Sequence, residues 1–333
     1  MYLLFAFIEF NGQINLLSSF NESSCLLLNG NSVEPAFSPN KLICYDLKKL
    51  KSINEVEFND RLVNFKSLDK FIFISFLNEM KIFTLNNNYD IQLFQKFSTY
   101  LNDFGCFDVN IVGDLLLLVT LGNKLGHIQV FKFSLKFIDK QKSFKSSLFK
   151  AHSNKISSIC ISNDQTKFCT TSIKGTIIRI WDSNTNQCLN QFRRGNDFAL
   201  IKQDSINWCK DNIHLTLISD KGTLHIFNTL VNTDNSYVNN DNVKLLTNYF
   251  NKNNKSLITY HIKPLIKNAL NSPFKPTSQS NFKFLNKFEE FFLCWLDLET
   301  LIVVTNLGRY FKFNYLDNNQ LNLAEFKNWS NYL

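Results

Sequence analysis

Glycine, proline and methionine are scarce: 10, 5 and 2 among 333 residues. That scarcity excludes collagen-like and Pro/Gly-rich disordered architectures. The eight cysteines (Cys25, Cys44, Cys106, Cys160, Cys169, Cys188, Cys209, Cys294) form no CxxC pair and show no cysteine–histidine zinc spacing, so they read as reduced core residues of a cytosolic protein, with no metal expected. No apolar run reaches the ~20 residues of a membrane-spanning helix. The opening "MYLLFAFIEF" is apolar for one strand before Glu9 and lacks a basic leader and a small-residue cleavage site, so a signal peptide is not expected. Nucleophile motifs are absent, and "GNKLGH" from Gly122 lacks the GK[ST] of a phosphate loop. Of the five histidines, His127, His214 and His261 stand in unrelated contexts with no metal spacing. The expectation is a non-enzyme without a cofactor. Acidic residues are in deficit, 28 against 36 Lys+Arg for a net charge of +8. An anionic partner fits that charge, phospholipid or nucleic acid, but charge alone does not choose between them.

What is abundant is phenylalanine, 34 residues, set in short runs such as "KFIFISFL", "DLLLLVT", "HIQVFKF", "KISSICIS", "TIIRIW", "TLHIFN" and "RYFKFNY". These runs are rich in β-branched and aromatic residues and are divided by Asn, Asp, Gly or Lys turns, the pattern of antiparallel hairpins in an all-β chain. "SIKGTIIRIW" from Ser172 returns as "SDKGTLHIFN" from Ser219, a 47-residue offset, and more weakly as "TNLGRYFKFN" from Thr305. A period of about 40 to 50 residues with about four strands per unit predicts a β-propeller occupying 1–333 as one domain. Ala151-His152 and the strand-closing Trp181-Asp182 give one unit the WD-repeat form. At this period the length holds about seven units. Six can be laid out, at about 12–52, 53–100, 101–147, 148–191, 197–286 and 287–331, leaving 1–11 as at most a fragment of a seventh.

The fifth unit is twice the normal length, and its excess lies at about 229–280. It opens with the low-complexity "NTDNSYVNNDN", expected to be disordered. Its middle scatters Leu257, Ile258, Tyr260, Ile262, Leu265, Ile266, Leu270 and Phe274 among lysines, and a short helix from Pro264 would place Ile266, Ala269 and Leu270 on one face. Six lysines against two aspartates make this segment basic. It suits a loop that dips into an anionic membrane interface, and plain compositional disorder is the competing reading. Between the two strong repeats stands "FRRGNDF", residues 192–198. Neighbouring side chains on an extended strand point to opposite faces, so Arg193 and Arg194 serve two places rather than one.

The trio "SIKGTIIRIW", "FRRG" and "SDKGTLHIF" resembles the signature of the PROPPINs, phosphoinositide-binding propellers that include the WIPI proteins of autophagy. "SPNKLICYDL" from Ser38 and "KAHSNKISSICIS" from Lys150 extend the likeness over about 14–316. The resemblance implies seven blades, and a cytoplasmic protein peripheral to phosphoinositide-bearing organelle membranes. It implies recognition of phosphatidylinositol 3-phosphate and phosphatidylinositol 3,5-bisphosphate at two rim sites, a membrane-inserting loop of the family's sixth blade at 229–280, and protein effectors of autophagy or trafficking. By place in the motif (Phe192, Arg193, Arg194, Gly195), one site would hold Ser172, Lys174, Thr176 and Arg193, with His152 and Thr170 at its edge. The other would hold Arg179, Arg194, Ser219, Thr223 and His225. The family's first blade is not recognisable before residue 14.

Other roles stay open for several of these residues. His152 reads equally as a structural histidine bonding across its blade, and His225 faces either a headgroup or a neighbouring strand. Ser172, Thr176, Ser219 and Thr223 also suit turns that bond their own backbone. The alternative to lipid recognition is a WD-repeat scaffold that binds proteins only. No nucleic-acid partner is expected.

Overall fold

The computed structural model describes residues 14–20, 25–30, 38–86, 90–136, 146–230, 256–262, 289–316 and 320–328. Two compact units divide the chain, Met1–Phe149 and Lys150–Leu333. The described residues form six four-stranded antiparallel sheets, the blade unit of a propeller. The first unit carries sheet one, β1 (Ile14–Phe20) to β4 (Lys51–Glu57) by way of β2 (Cys25–Gly30) and β3 (Lys41–Asp46). Sheet two comprises β5 (Asn64–Leu68), β6 (Phe71–Ser75), β7 (Glu79–Leu85) and β8 (Ile91–Ser98). Sheet three comprises β9 (Phe107–Val112), β10 (Leu115–Leu121), β11 (His127–Ser134) and β12 (Ser146–Lys150).

The second unit holds the three copies of the repeated turn. Sheet four is built from β13 (Ile156–Ile161), β14 (Lys167–Ser172), β15 (Ile177–Asp182) and β16 (Cys188–Arg193). After a 3-10 turn at Gln203–Ser205 comes sheet five: β17 (Ile206–Trp208), β18 (His214–Ile218), β19 (Thr223–Asn228) and β20 (Ile258–His261). Sheet six has β21 (Phe291–Trp295), β22 (Thr300–Thr305), β23 (Arg309–Leu316) and β24 (Gln320–Asn328).

The residue pattern explains the layering. Inner strands such as β6 and β13 are buried at every position, because each is covered on both faces; β6 is apolar up to Ser75, and in β13 the buried hydroxyls of Ser157 and Ser158 are matched by Thr171. Fourth strands such as β8 and β24 carry exposed residues among half-buried ones. The pairing of third and fourth strands slips at Cys44/Tyr45, Ile82/Phe83, Ile180/Trp181 and Lys312/Phe313. These four bulges at matching places add local twist to the outer edge of each blade. Phe192, Ile178 and Ile180 of sheet four pack with Leu215, Leu217, Phe227 and Trp208 of sheet five, while Leu224, Ile226 and Ile262 pack with Phe291, Trp295, Phe311 and Phe313 of sheet six.

The unit boundaries read from the repeat fall within a few residues of the sheets, with two differences. β20 lies inside the segment expected to be one loop, because Thr259 and His261 alternate with Ile258 and Tyr260 and pair with β19. The stretch from Pro264 therefore follows the sheet instead of sitting between its third and fourth strands. That stretch, the low-complexity run and residues 1–11 lie outside the described residues. The second difference concerns the cysteines: Cys44, Cys106, Cys160, Cys169 and Cys209 are buried, but Cys188 and Cys294 are exposed.

Candidate functional site

The three copies of the turn share one backbone. Gly175, Gly222 and Gly308 all take the left-handed conformation, with φ of 59°, 73° and 74°, which favours glycine. A Cβ on Gly175 would stand 1.7 Å from the Ala199 carbonyl oxygen, and one on Gly222 would stand 2.5 Å from that of Ile262. Each glycine thus lets the segment that follows the fourth strand lie directly against the turn.

Register decides where the two arginines go. Ile178 pairs with Phe192 and Ile177 with Arg193, and the Arg194 amide extends the ladder by donating to the Thr176 carbonyl at 2.9 Å. Phe192 is buried on the face turned to sheet five. Arg193 therefore belongs to the opposite face, and Arg194 returns to the sheet-five side. Arg193 is exposed and donates from Nη2 to Asn196 Oδ1 at 2.6 Å. Arg194 is half-buried, and its Nε donates to the Gly175 carbonyl at 2.8 Å and its Nη2 to the Asp197 carbonyl. Burial lowers its pKa, an effect the carboxylates of Asp197 and Asp220 oppose.

Among the residues expected beside Arg193, Ser172 is buried at the end of β14, Thr176 is half-buried and Lys174 is exposed, its Nζ 5.5 Å from the Phe198 ring centre. His152 and Thr170 are bonded to each other. His152 Nε2 lies 2.8 Å from Thr170 Oγ1, which also accepts from Trp181 Nε1 at 2.9 Å, and both residues are buried. Burial and the neighbouring Arg179 push the His152 pKa down to about 3, so the imidazole is a neutral member of a cross-strand network.

Arg179 does not join Arg194. It pairs with Gln191, two residues from Arg193, and so shares the Arg193 face. Its Nε donates to Gln191 Oε1 at 2.9 Å, its Nη1 to the Ala151 carbonyl, and Nη1 is 3.4 Å from His152 Nδ1. The repeat places Arg179 by motif position; strand parity sends it elsewhere, to an open cleft lined with Lys150, His152 and Trp181.

The Arg194 side is more crowded with polar groups than the sequence suggested. Thr223 and His225 share one face of β19, and Leu217, opposite His225, packs against Phe192 of sheet four. Arg194 also acts electrostatically on His225. Ser219 and His225 are buried, yet Ser219 Oγ and His225 Nε2 have no hydrogen-bond partner among the described residues. An unsatisfied buried polar group costs about 1–3 kcal/mol. Burial first, then Arg194 and His261, lower the His225 pKa to about 4.

Three residues outside the sequence reading complete this face. His261 Nδ1 lies 3.1 Å from Thr223 Oγ1, and the hydroxyls of Ser256 and Thr259 stand 3.3 and 3.4 Å from His225 Nδ1. His261 pairs with Thr223 as Arg193 does with Ile177, so it fills in sheet five the place of Arg193 in sheet four, on the face of β19 that carries Thr223 and His225. The repeat could have revealed this only if the fourth strand were close by, as β16 is to β15. Of the remaining histidines, His214 bridges Asp211 at 2.6 Å and the Tyr315 hydroxyl at 3.2 Å, and His127 Nδ1 lies 3.1 Å from the Leu125 carbonyl; neither is at this site. A guanidinium, a neutral imidazole and a buried hydroxyl together suit an oxyanion that accepts several hydrogen bonds.

Sheet six closes the same turn on itself. Arg309 stands where the other copies have threonine, and its Nε and Nη2 donate to the two carboxylate oxygens of Glu289, the first at 2.6 Å. Both side chains are buried. The third copy is thus neutralised internally.

No protein-family model matches the chain. It is 29% identical over 224 residues to SVP1-like protein 2 of Schizosaccharomyces pombe, covering 66% of this chain and 57% of that protein. SVP1-like protein 2 of Pichia angusta is 29% identical over 218 residues, with 66% and 59% covered. Autophagy-related protein 18e of Arabidopsis thaliana is 27% identical over 195 residues, with 57% and 48% covered. The aligned part is less than two thirds of the length of these relatives. Among solved structures, Kluyveromyces lactis Hsv2 with its complete loop 6CD matches with a TM-score of 0.66 at 20% identity, covering 95% of this chain and 87% of that one. The complex of KlAtg21 with the coiled-coil of AgAtg16 matches with a TM-score of 0.65 at 15% identity, covering 94% and 84%. These likenesses establish the β-propeller fold.

Proposed function

This chain is a member of the PROPPIN family, and from that premise we propose that it is a phosphoinositide-binding peripheral membrane protein of autophagy-related or endolysosomal trafficking. One site lies on the Arg193 side of sheet four, with Ser172, Lys174 and Thr176. The second lies on the Arg194 side, with Ser219, Thr223, His225 and His261. Its ligands are the headgroups of phosphatidylinositol 3-phosphate and phosphatidylinositol 3,5-bisphosphate, whose phosphates match a guanidinium fork. The observation that carries this reading is the divergence of Arg193 and Arg194 onto opposite faces of sheet four, beside Ser219 Oγ and His225 Nε2, which are buried and have no hydrogen-bond partner among the described residues.

Each rim site is open to water and weak by itself. Two sites on one membrane act at high effective concentration, so modest affinities multiply. The basic segment within 229–280 adds a contact with the lipid interface. A coiled-coil effector of the kind named in the KlAtg21–AgAtg16 complex is the class of protein partner the family suggests.

Flotation with liposomes containing phosphatidylinositol 3-phosphate tests the reading. The Arg193→Thr, Arg194→Thr double variant should lose binding by at least about 100-fold while keeping the wild-type melting transition. Undiminished flotation of that folded variant would reject lipid recognition here and favour a protein-binding scaffold.

A further inference from the structure

Two large apolar side chains stand exposed beside the arginine pair: Ile173 at 41% and Phe198 at 66%. Single exposed apolar residues are ordinary on a protein surface. These two are held together by the fold. Ile173 lies in the turn closed by the Gly175 amide donating to the Ser172 carbonyl at 2.7 Å, and the Ala199 amide, next to Phe198, donates to the Lys174 carbonyl at 3.3 Å. The approach of Gly175 to Ala199 leaves no room for a Cβ, so the segments bearing the two side chains are packed backbone to backbone. Resting on the proposed function, we infer that Ile173 and Phe198 form a folded apolar wedge that enters the lipid interface next to the bound headgroups.

Charge and chemistry select the partner. Lys174, Arg193 and Arg194 flank the wedge against the carboxylates of Asp197 and Asp220, so the surface keeps a net basic charge around an apolar tip. Lys174 Nζ lies over the Phe198 ring, and an ammonium on a flexible stem can stay with the phosphates while the ring moves inward. A bilayer offers anionic phosphate with acyl chains directly beneath, where an aromatic ring gains from burial. A water-soluble headgroup offers the phosphate alone.

That difference supplies the test. Full-length Phe198→Ser and Ile173→Ser variants are titrated with vesicles containing phosphatidylinositol 3-phosphate and, separately, with soluble inositol 1,3-bisphosphate. Phe198→Ser should weaken vesicle binding roughly tenfold, as expected for one partly buried aromatic side chain, and Ile173→Ser should weaken it less; both should bind the soluble headgroup as wild type does. In a Phe198→Trp variant, indole emission should shift to the blue on adding those vesicles. Unchanged vesicle affinity, or no spectral shift on vesicles that the variant binds, overturns the wedge and leaves the headgroup sites standing. Equal losses toward vesicles and soluble headgroup also overturn it, since Phe198 would then only hold Lys174 in place. If the wild type binds neither probe, the proposed function itself fails.

Discussion

The turn of sheet six and the turns of sheets four and five share a backbone and differ in how their cations are matched. In sheet six, Arg309 is buried and held by both carboxylate oxygens of Glu289, and Leu307 stands where the other copies have Lys174 and Lys221. At the junction of sheets four and five, Arg194 is half-buried and donates to two backbone carbonyls. The glycine turn is therefore a property of the blade, and the cations beside it differ: Arg309 is bonded to a carboxylate, whereas Arg194 bonds backbone carbonyls and feels the carboxylates of Asp197 and Asp220 through space. A carbonyl occupies a guanidinium N–H but does not cancel its charge.

The largest effect is expected from breaking the closed copy. Glu289→Ala leaves the Arg309 charge buried and unmatched, which costs about 3–5 kcal/mol. Denaturant unfolding should show that loss, while headgroup affinity of the folded variant stays at the wild-type value. A loss of affinity equal to that of an arginine variant would make sheet six part of the site.

The next effect concerns pH. His225 is held neutral down to about pH 4 and His152 to about pH 3, both below the ordinary histidine value near 6.5. An unfolded chain takes up protons near pH 6.5 that the folded one refuses, so stability is full above that pH and falls as pH drops from about 6.5 toward 4. Thermal melts from pH 7.5 to 4.5 should record the decline. A bound phosphate favours the imidazolium, so the His225 contribution to headgroup affinity on the Arg194 side should grow as pH falls toward 4, and His225→Gln should flatten that rise. A pH-independent affinity in the wild type would remove His225 from the ligand shell.

The smallest effect sharpens the membership of the second site. His261→Ala should weaken headgroup binding by about three- to tenfold, the order of one lost hydrogen bond, and should do so in an Arg193→Thr background but not in an Arg194→Thr one. Titration with the soluble headgroup checks this. Equal losses in both backgrounds would place His261 outside the Arg194 side.

The sheets were legible because strands such as β6 and β10 are largely apolar runs and the turns of sheets four, five and six repeat Lys-Gly or an equivalent. The arginines could be assigned to opposite faces because they are adjacent on one strand. Three things escaped for physical reasons. β20 is a short strand far along the chain from β19, so neither its run length nor the repeat spacing announces it, and His261 was missed with it. Arg179 was grouped by motif position, whereas its direction follows from its pairing with Gln191 across the sheet, a register that no motif states. His152 and Thr170 look like polar groups near a site, but their burial with Trp181 ties them to each other.

The central claim, that neighbouring arginines serve two separate anion sites, is tested most directly by the stoichiometry of soluble inositol 1,3-bisphosphate in a calorimetric titration. Two molecules per wild-type chain are predicted, one for Arg193→Thr and one for Arg194→Thr, with none for the double variant. One molecule per wild-type chain, lost alike in both single variants, would contradict it.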